Sequence, residues 1–251
     1  MSFMQVFPVL DLMDGKVVRG VAGERNSYRP IESRLTASCE PLAVAKAIRE
    51  QLGLSQFYVA DLDAIRFGRP QFSILRELAE SFPGLWLDAG IRVPDDVSRL
   101  EPLGEIVFVA GLETIAGPEA LRDLCRRLGA DRVAFSLDLK HGRPLGDTSC
   151  WHSPEPLEIA RKAIDLGTGK LIVLDLAQVG MGEGPSTLPI CANIKREFPE
   201  VFLVTGGGIR DAGDLLSLKE HQIDGVLVAS ALHNSSIGRE EIQKLGNLAS
   251  G

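Results

Sequence analysis

The stretch WLDAGIRVPDDVSRL at residues 86–100 is answered by VTGGGIRDAGDLLSL at residues 204–218, and this pair decides the fold. Three more pairs follow the same order in each half. PVLDLMDGKVV (8–18) answers to FSLDLKHGRPL (135–145), YVADLDA (58–64) to IVLDLAQ (172–178), and VAGLE (109–113) to VASAL (228–232). Short apolar runs alternate with segments that are apolar every three to four residues, which is the pattern of βαβ units and a parallel sheet. Two fused halves of this kind close into eight strands. The strands are expected at Val6–Leu12, Phe57–Leu62, Leu85–Asp88, Ile106–Ala110, Val133–Leu139, Leu171–Leu176, Phe202–Thr205 and Val226–Ala229. Helices are expected at Pro41–Gln51, Phe72–Glu80, Pro118–Leu128, Pro154–Leu166 and Leu188–Phe198. The expectation is an α/β chain, a (β/α)8 TIM barrel with an internal half-barrel repeat, formed as one domain over residues 1–251.

Composition narrows the function. With 45% hydrophobic and 24% charged residues, the chain has material for a large core and is neither disordered nor fibrous. No apolar run reaches the roughly 18–20 residues that span a bilayer, and MSFMQVFPVLDLMDG lacks the basic start and cleavage site of a signal peptide. A net charge of −7 argues against nucleic-acid or acidic-membrane partners. Cys39, Cys125, Cys150 and Cys191 are scattered without metal-ligand or disulfide spacing, so a reducing cytoplasm and no metal are expected. An anionic ligand must then be held locally.

In such barrels chemistry sits at the carboxyl ends of the strands. Asp11, Asp61, Asp63, Asp88, Asp138 and Asp175 all finish apolar runs. Any one of them reads as a turn or helix cap. Six at one face read as a site, because paired carboxylates divide acid and base roles when burial and repulsion raise one pKa. Gly206, Gly207 and Gly208 stand between a strand and a helix starting near Asp211, where backbone N–H groups and the helix's positive end receive an anion. With VLVASALHNSSIG they form the expected phosphate site. The loop GVAGERNSYRPIESRL carries Arg19, Arg25, Arg29, Arg34 and Tyr28 and is long enough to be a lid. Trp151 and His152 could meet a ring of the ligand or, for the tryptophan, anchor the core. His141, His221 and His233 show no pairing and read as solvated.

Taken in order, PVLDLMDGKVVRG, YVADLDA, AGIR, SLDLKHG, LDLAQVGMGEGP, GGGIR and VASALH resemble the histidine-biosynthesis barrels. Those are phosphoribosylformimino-AICAR ribotide isomerase and the cyclase subunit of imidazole glycerol-phosphate synthase. The resemblance implies that Asp11 is a general base. It implies Asp175 as the acid if the chain is like the isomerase, and Asp138 if it is like the cyclase. It puts phosphate at Gly207, Gly208, Ala229 and Ser230, and an aromatic contact near Trp151. An isomerase of small phosphorylated metabolites is thus expected, needing no organic cofactor; a lyase or cyclase and a non-catalytic binding barrel stay open.

The chain departs from that pattern where a second phosphate would bind. It has Asp88-Ala89-Gly90 in place of three glycines, Leu112-Glu113 in place of Thr-Ala, and Gln178-Val179 in place of an Arg-Asp pair. In this it is similar to isomerase-like barrels of organisms with methanopterin-dependent one-carbon metabolism. Arg19, Asp88, Glu113 and Trp151 are the expected substrate contacts, and the substrate is expected to differ from the histidine intermediate.

Overall fold

The computed structural model describes residues 4–246. Eight parallel strands close into a barrel: β1 (Gln5–Met13), β2 (Tyr58–Asp61), β3 (Leu85–Asp88), β4 (Ile106–Gly111), β5 (Val133–Lys140), β6 (Lys170–Asp175), β7 (Phe202–Gly206) and β8 (Gly225–Val228). β8 closes the ring on β1, with Gln5 opposite Gly225 and Pro8 opposite Val228. Every expected strand is present.

Strand side chains alternate between two faces, so one parity of each strand fills the barrel and the other meets the helices. The inward set holds Phe7, Tyr58, Ala60, Trp86, Val109, Ala134, Ile172, Val204 and Leu227 as one buried cluster. Phe7 and Trp86 meet with ring centroids 4.9 Å apart, and Trp86 meets Phe202 at 6.0 Å, plugging the floor. Two or four residues further along, the same parity delivers Asp11, Asp88, Gly111, Asp138, Leu174, Gly206 and Ala229 to the mouth. Outward residues such as Leu10, Leu87, Phe108, Phe135, Val173 and Leu203 pack in the larger cluster with the helices.

The helices are α1 (Pro41–Leu52), α2 (Leu62–Phe67), α3 (Phe72–Ser81), α4 (Pro118–Leu128), α5 (Pro156–Asp165), α6 (Leu188–Glu197), α7 (Ala212–Glu220), α8 (Ser230–His233) and α9 (Arg239–Lys244). α1, α4 and α5 start on proline, whose missing N–H costs nothing in the first turn. Between β3 and β4 stand two 3-10 turns, Pro94–Arg99 and Glu101–Leu103; Pro102, with no N–H to bond back into the preceding turn, keeps them from joining as one helix. Among the described residues no helix is long and apolar enough to cross a membrane.

After β1 the chain doubles back, with Val18 opposite Asp11, and residues 20–28 cross the carboxyl end of the barrel before Arg29 pairs with Arg19. This strap positions much of the site.

Candidate active site

The strand ends, the strap and the loops after β6, β7 and β8 enclose a cavity of about 470 Å³ at the barrel mouth. Its two sides differ in chemistry.

One side is acidic. Asp11, Asp88 and Asp138 line the cavity from β1, β3 and β5, together with Tyr58 from β2 and Glu113 beyond β4. Burial pushes Asp11 up to about 7; Arg25 opposes that rise and Asp88 adds to it. Burial likewise raises Asp138 to about 7, against the hydrogen bond of Ser136, with Asp88 and Glu113 adding repulsion. Asp88 rises to about 6 by burial, despite the N–H of Gly90 at 3.0 Å. Ser136 Oγ donates to Asp138 Oδ1 at 2.6 Å, whereas Oδ2 meets only the Glu113 N–H at 3.5 Å. Asp11 has no hydrogen-bond partner among the described residues. Carboxyl groups so desolvated exchange protons near neutrality, as acid–base catalysis requires.

The strap roofs this side. Arg25 donates to both oxygens of Glu113, at 2.8 and 2.5 Å, joining two loops across the mouth. Lys140 holds Glu24 at 3.1 Å, Arg66 holds Asn26 at 3.2 Å, and the Ala22 N–H reaches the Val179 carbonyl at 2.8 Å. Glycine at 180 is required here, since a Cβ would stand 2.3 Å from the Gly20 carbonyl at φ +74. Tyr28, 6% exposed, faces the cavity, and burial pushes its phenol up to about 12 with the Asp11 charge adding to the rise.

The opposite side is walled by backbone. Gly207, Gly208, Ala229 and Ser230 line it, with Arg210 and Arg19 at the rim. Gly208 has φ +75, and a Cβ there would stand 2.7 Å from the Gly184 carbonyl, so the wall admits no side chain. The N–H groups of Gly208 and Ser230 donate to no group among the described residues. Unpaired donors in a cavity wall suit an anion. α7 contributes less than its position suggests, because the Asp211 carboxylate already takes the N–H groups of Gly213 and Asp214. Asp214 in turn holds the Arg210 guanidinium at 2.6 Å.

Three sequence expectations change. Asp175 does not line the cavity: its carboxylate accepts the N–H groups of His141 at 3.0 Å, Gly142 at 2.7 Å and Ala177 at 3.0 Å, locking the loops after β5 and β6. Parity explains this, because Ile172 and Leu174 point inward and Asp175 is out of step; Asp61, its counterpart in the first half, caps Ala64 in the same way. Trp151 is 3% exposed and packs on Phe135 with centroids 5.1 Å apart, outside the cavity lining, while His152 is exposed. His233 is not solvated; it lines the cavity, its Nδ1 lies 3.0 Å from Ser33 Oγ, and burial lowers it to about 4. Glu113 stays in the cavity lining, with its carboxylate held by Arg25.

Of the loop arginines, Arg25 and Arg19 face the cavity, whereas Arg29 and Arg34 are exposed outside its lining. Tyr28, Tyr58 and Arg25 escaped the sequence reading as site residues. Strand parity could have found Tyr58, four residues before the mouth-facing Leu62 region and in step with Ala60. Arg25 and Tyr28 lie in a loop with no periodicity to read.

A family model described as histidine biosynthesis protein matches residues 5–238. The chain belongs to that family. An uncharacterized protein of Methanocaldococcus jannaschii is 30% identical to it, over 95% of this chain and 97% of its own. Two imidazole-4-carboxamide isomerases, named for a substrate with two 5-phosphoribosyl groups, are also similar. The one from Methanosphaera stadtmanae is 27% identical over 96% of this chain and 99% of its own, and that from Caldicellulosiruptor saccharolyticus 28% over 96% and 100%. Family membership thus joins this barrel to enzymes named as isomerases. Among the described residues no three His, Cys, Asp or Glu side chains are grouped to hold a metal ion.

Proposed function

We propose that this family member is a sugar-phosphate isomerase of the Amadori or aldose–ketose type, acting on a small aminosugar-like or ribosyl metabolite with one phosphate. The observation that carries this reading is the pairing of Asp11 and Asp138, both held near neutrality by burial, in the cavity that also contains the glycine-walled donors. Asp138 takes the acid role in place of Asp175, whose carboxylate is spent on three backbone N–H groups.

In such a reaction the acid protonates the sugar ring oxygen, and the C1–O bond opens as the amine nitrogen lone pair forms a C=N bond. The base then removes the proton from C2, and the resulting enol tautomerises to the ketone. Asp138 supplies the first proton and Asp11 accepts the second. One must start protonated and the other ionised, so with both near 7 the pH profile of kcat should be a narrow bell centred close to neutrality. Backbone donors of Gly208 and Ser230 would hold the phosphate, with Gly207 and Ala229 completing the wall.

The acids can be told apart. Asp138→Asn should lower kcat by about 10²–10⁴-fold. Asp175→Asn should instead cost stability, by about 2 kcal/mol for weakened charge-assisted bonds, and keep the shape of the pH profile. Turnover paired with denaturant midpoints decides the matter; an active Asp138→Asn beside a dead but stable Asp175→Asn would return the acid role to Asp175. A lyase or cyclase would use the same Asp11–Asp138 pair, and the Ala229-Ser230 pair, which resembles the cyclase more than the isomerase at that place, favours that second reading; product analysis by mass spectrometry separates them, since an isomerase leaves mass unchanged.

The phosphate end has its own test. Titration with inorganic phosphate should show binding that Gly208→Ala weakens about tenfold or more by removing or displacing a backbone donor. Equal binding by Gly208→Ala would move the anion elsewhere.

A further inference from the structure

Asp88 and the Tyr28 hydroxyl, beside the acid side of the cavity, are left unexplained by a phosphate and a proton relay. The internal repeat sets Asp88, Ala89 and Gly90 opposite Gly206, Gly207 and Gly208, so Asp88 stands at the half-barrel counterpart of the anion-holding wall. The two ends of one cavity therefore carry opposite chemistry: backbone donors at one, carboxylates at the other.

The groups facing the acid end come from every surrounding element. Asp11 projects from β1, Tyr58 from β2, Asp88 from β3 and Asp138 from β5, while Glu113 and Arg25 close the rim as a pair. Arg25 pairs directly with Glu113 and acts on Asp11 and Asp88 only at longer range, so Asp11, Asp88 and Asp138 have no direct ion pair among the described residues.

A second observation points to a ligand. Tyr28 as a residue is 6% exposed and lines the cavity, and its hydroxyl, which opens on that space, has no hydrogen-bond partner among the described residues. A Cβ built on Gly20 would stand 3.5 Å from that hydroxyl and 3.0 Å from Asp11 Oδ2, so phenol and carboxylate border the same small space. Tyr58, 5% exposed, reaches Asp88 only at 3.5 Å, the limit of a hydrogen bond. Unspent oxygens of this kind want a donor with several N–H bonds. The carboxylates are too dispersed to converge on a metal ion. An ammonium group, whose three N–H bonds reach separate acceptors, suits them better.

We propose that the acid end, built from Asp88, Asp11 and the Tyr28 hydroxyl, seats a protonated primary amine, so that the ligand class is an amino phosphomonoester. This rests on the proposed phosphate site for the other end of the ligand alone.

The test uses the full chain and matched probes: ethanolamine phosphate with its propyl and butyl homologues, each against the alkyl phosphate of equal length, by titration calorimetry. At about pH 8, at least one aminoalkyl phosphate should bind about tenfold or more tighter than its partner, as one well-placed charge pair provides. Asp88→Asn should shrink that ratio toward one while inorganic phosphate binds as before. Lowering the pH protonates the carboxyl groups and removes their charge, so the ratio should fall as pH drops through the range from about 7 to about 6. The ammonium lowers the phosphate pKa of each amino probe, so the ratio is compared after each probe is corrected for its own measured phosphate titration.

Alkyl phosphates binding as tightly as their amino partners would overturn the amine seat and leave the phosphate site standing. A preference that Asp88→Asn leaves intact would also overturn it. Binding of butylamine, competed by ethylamine and lost in Asp88→Asn, without any binding of inorganic phosphate would uphold the amine seat and remove the phosphate site.

Discussion

Asp11→Asn is expected to lose turnover by about 10²–10⁴-fold while becoming more stable at neutral pH. Both effects have one cause. The Asp11 carboxyl lines the cavity without a hydrogen-bond partner among the described residues, and burial raises it from 3.8 to about 7. The folded chain therefore binds this proton more tightly than the unfolded chain. Stability contributed by the group is present below about pH 4, declines as pH rises toward about 7, and above that the folded state bears the full cost of a desolvated charge. The shift sets a ceiling of about 4 kcal/mol, and water at the cavity mouth reduces it, so a gain of about 1–2 kcal/mol is expected for the neutral amide. Denaturant midpoints at about pH 4 and about pH 8 should differ less in the variant than in the wild type, because Asp88 and Asp138 still titrate in both. Wild-type-like turnover by Asp11→Asn would remove it from the mechanism.

The second large effect concerns the substrate. The doubly 5-phosphoribosylated imidazole-4-carboxamide named for the similar isomerases should be turned over at least about 10³-fold less efficiently by this chain than by those enzymes. Asp88 stands at the cavity end that would receive the second phosphate. At about 4 Å and an effective dielectric near 20, one carboxylate–phosphate charge pair is repulsive by about 4 kcal/mol, which is about three powers of ten in rate. One backbone hydrogen bond returns about 1 kcal/mol. Glu113 adds less, because Arg25 answers its charge. Asp88→Gly combined with Leu112→Thr and Glu113→Ala should recover binding of that compound, and the wild-type gene should fail to rescue a strain lacking the isomerase. Efficient turnover by the unmodified protein would show that Asp88 has another purpose.

Much of this was legible in the sequence because the repeat sets position and strand alternation sets facing. Asp11 and Asp138 hold equivalent places in PVLDL and FSLDL, and both reach the cavity; Gly207 and Gly208 wall it as their motif implies. Asp175 shows where a motif falls short. A strand-ending aspartate looks the same whether it faces the mouth or the loops, and only counting in twos from Ile172 reveals the difference. The Arg25–Glu113 pair spans 88 residues and depends on how an aperiodic loop folds across the barrel, which no local pattern encodes. A lone histidine carries no sequence sign of what covers it, and His233 is met by Ser33 from beyond the strap.

A barrel assembled from two like halves has a concealed problem of direction. If both ends of its cavity bound the same group, a ligand could lie either way round, and Asp11 and Asp138 would trade places from one encounter to the next. With carboxylates at one end and amide donors at the other, the cavity acts as a polarised socket. On the proposed function a ligand would enter in a single sense, each aspartate would meet the same atom every time, and the twofold likeness of the halves would no longer blur which of them is acid and which is base.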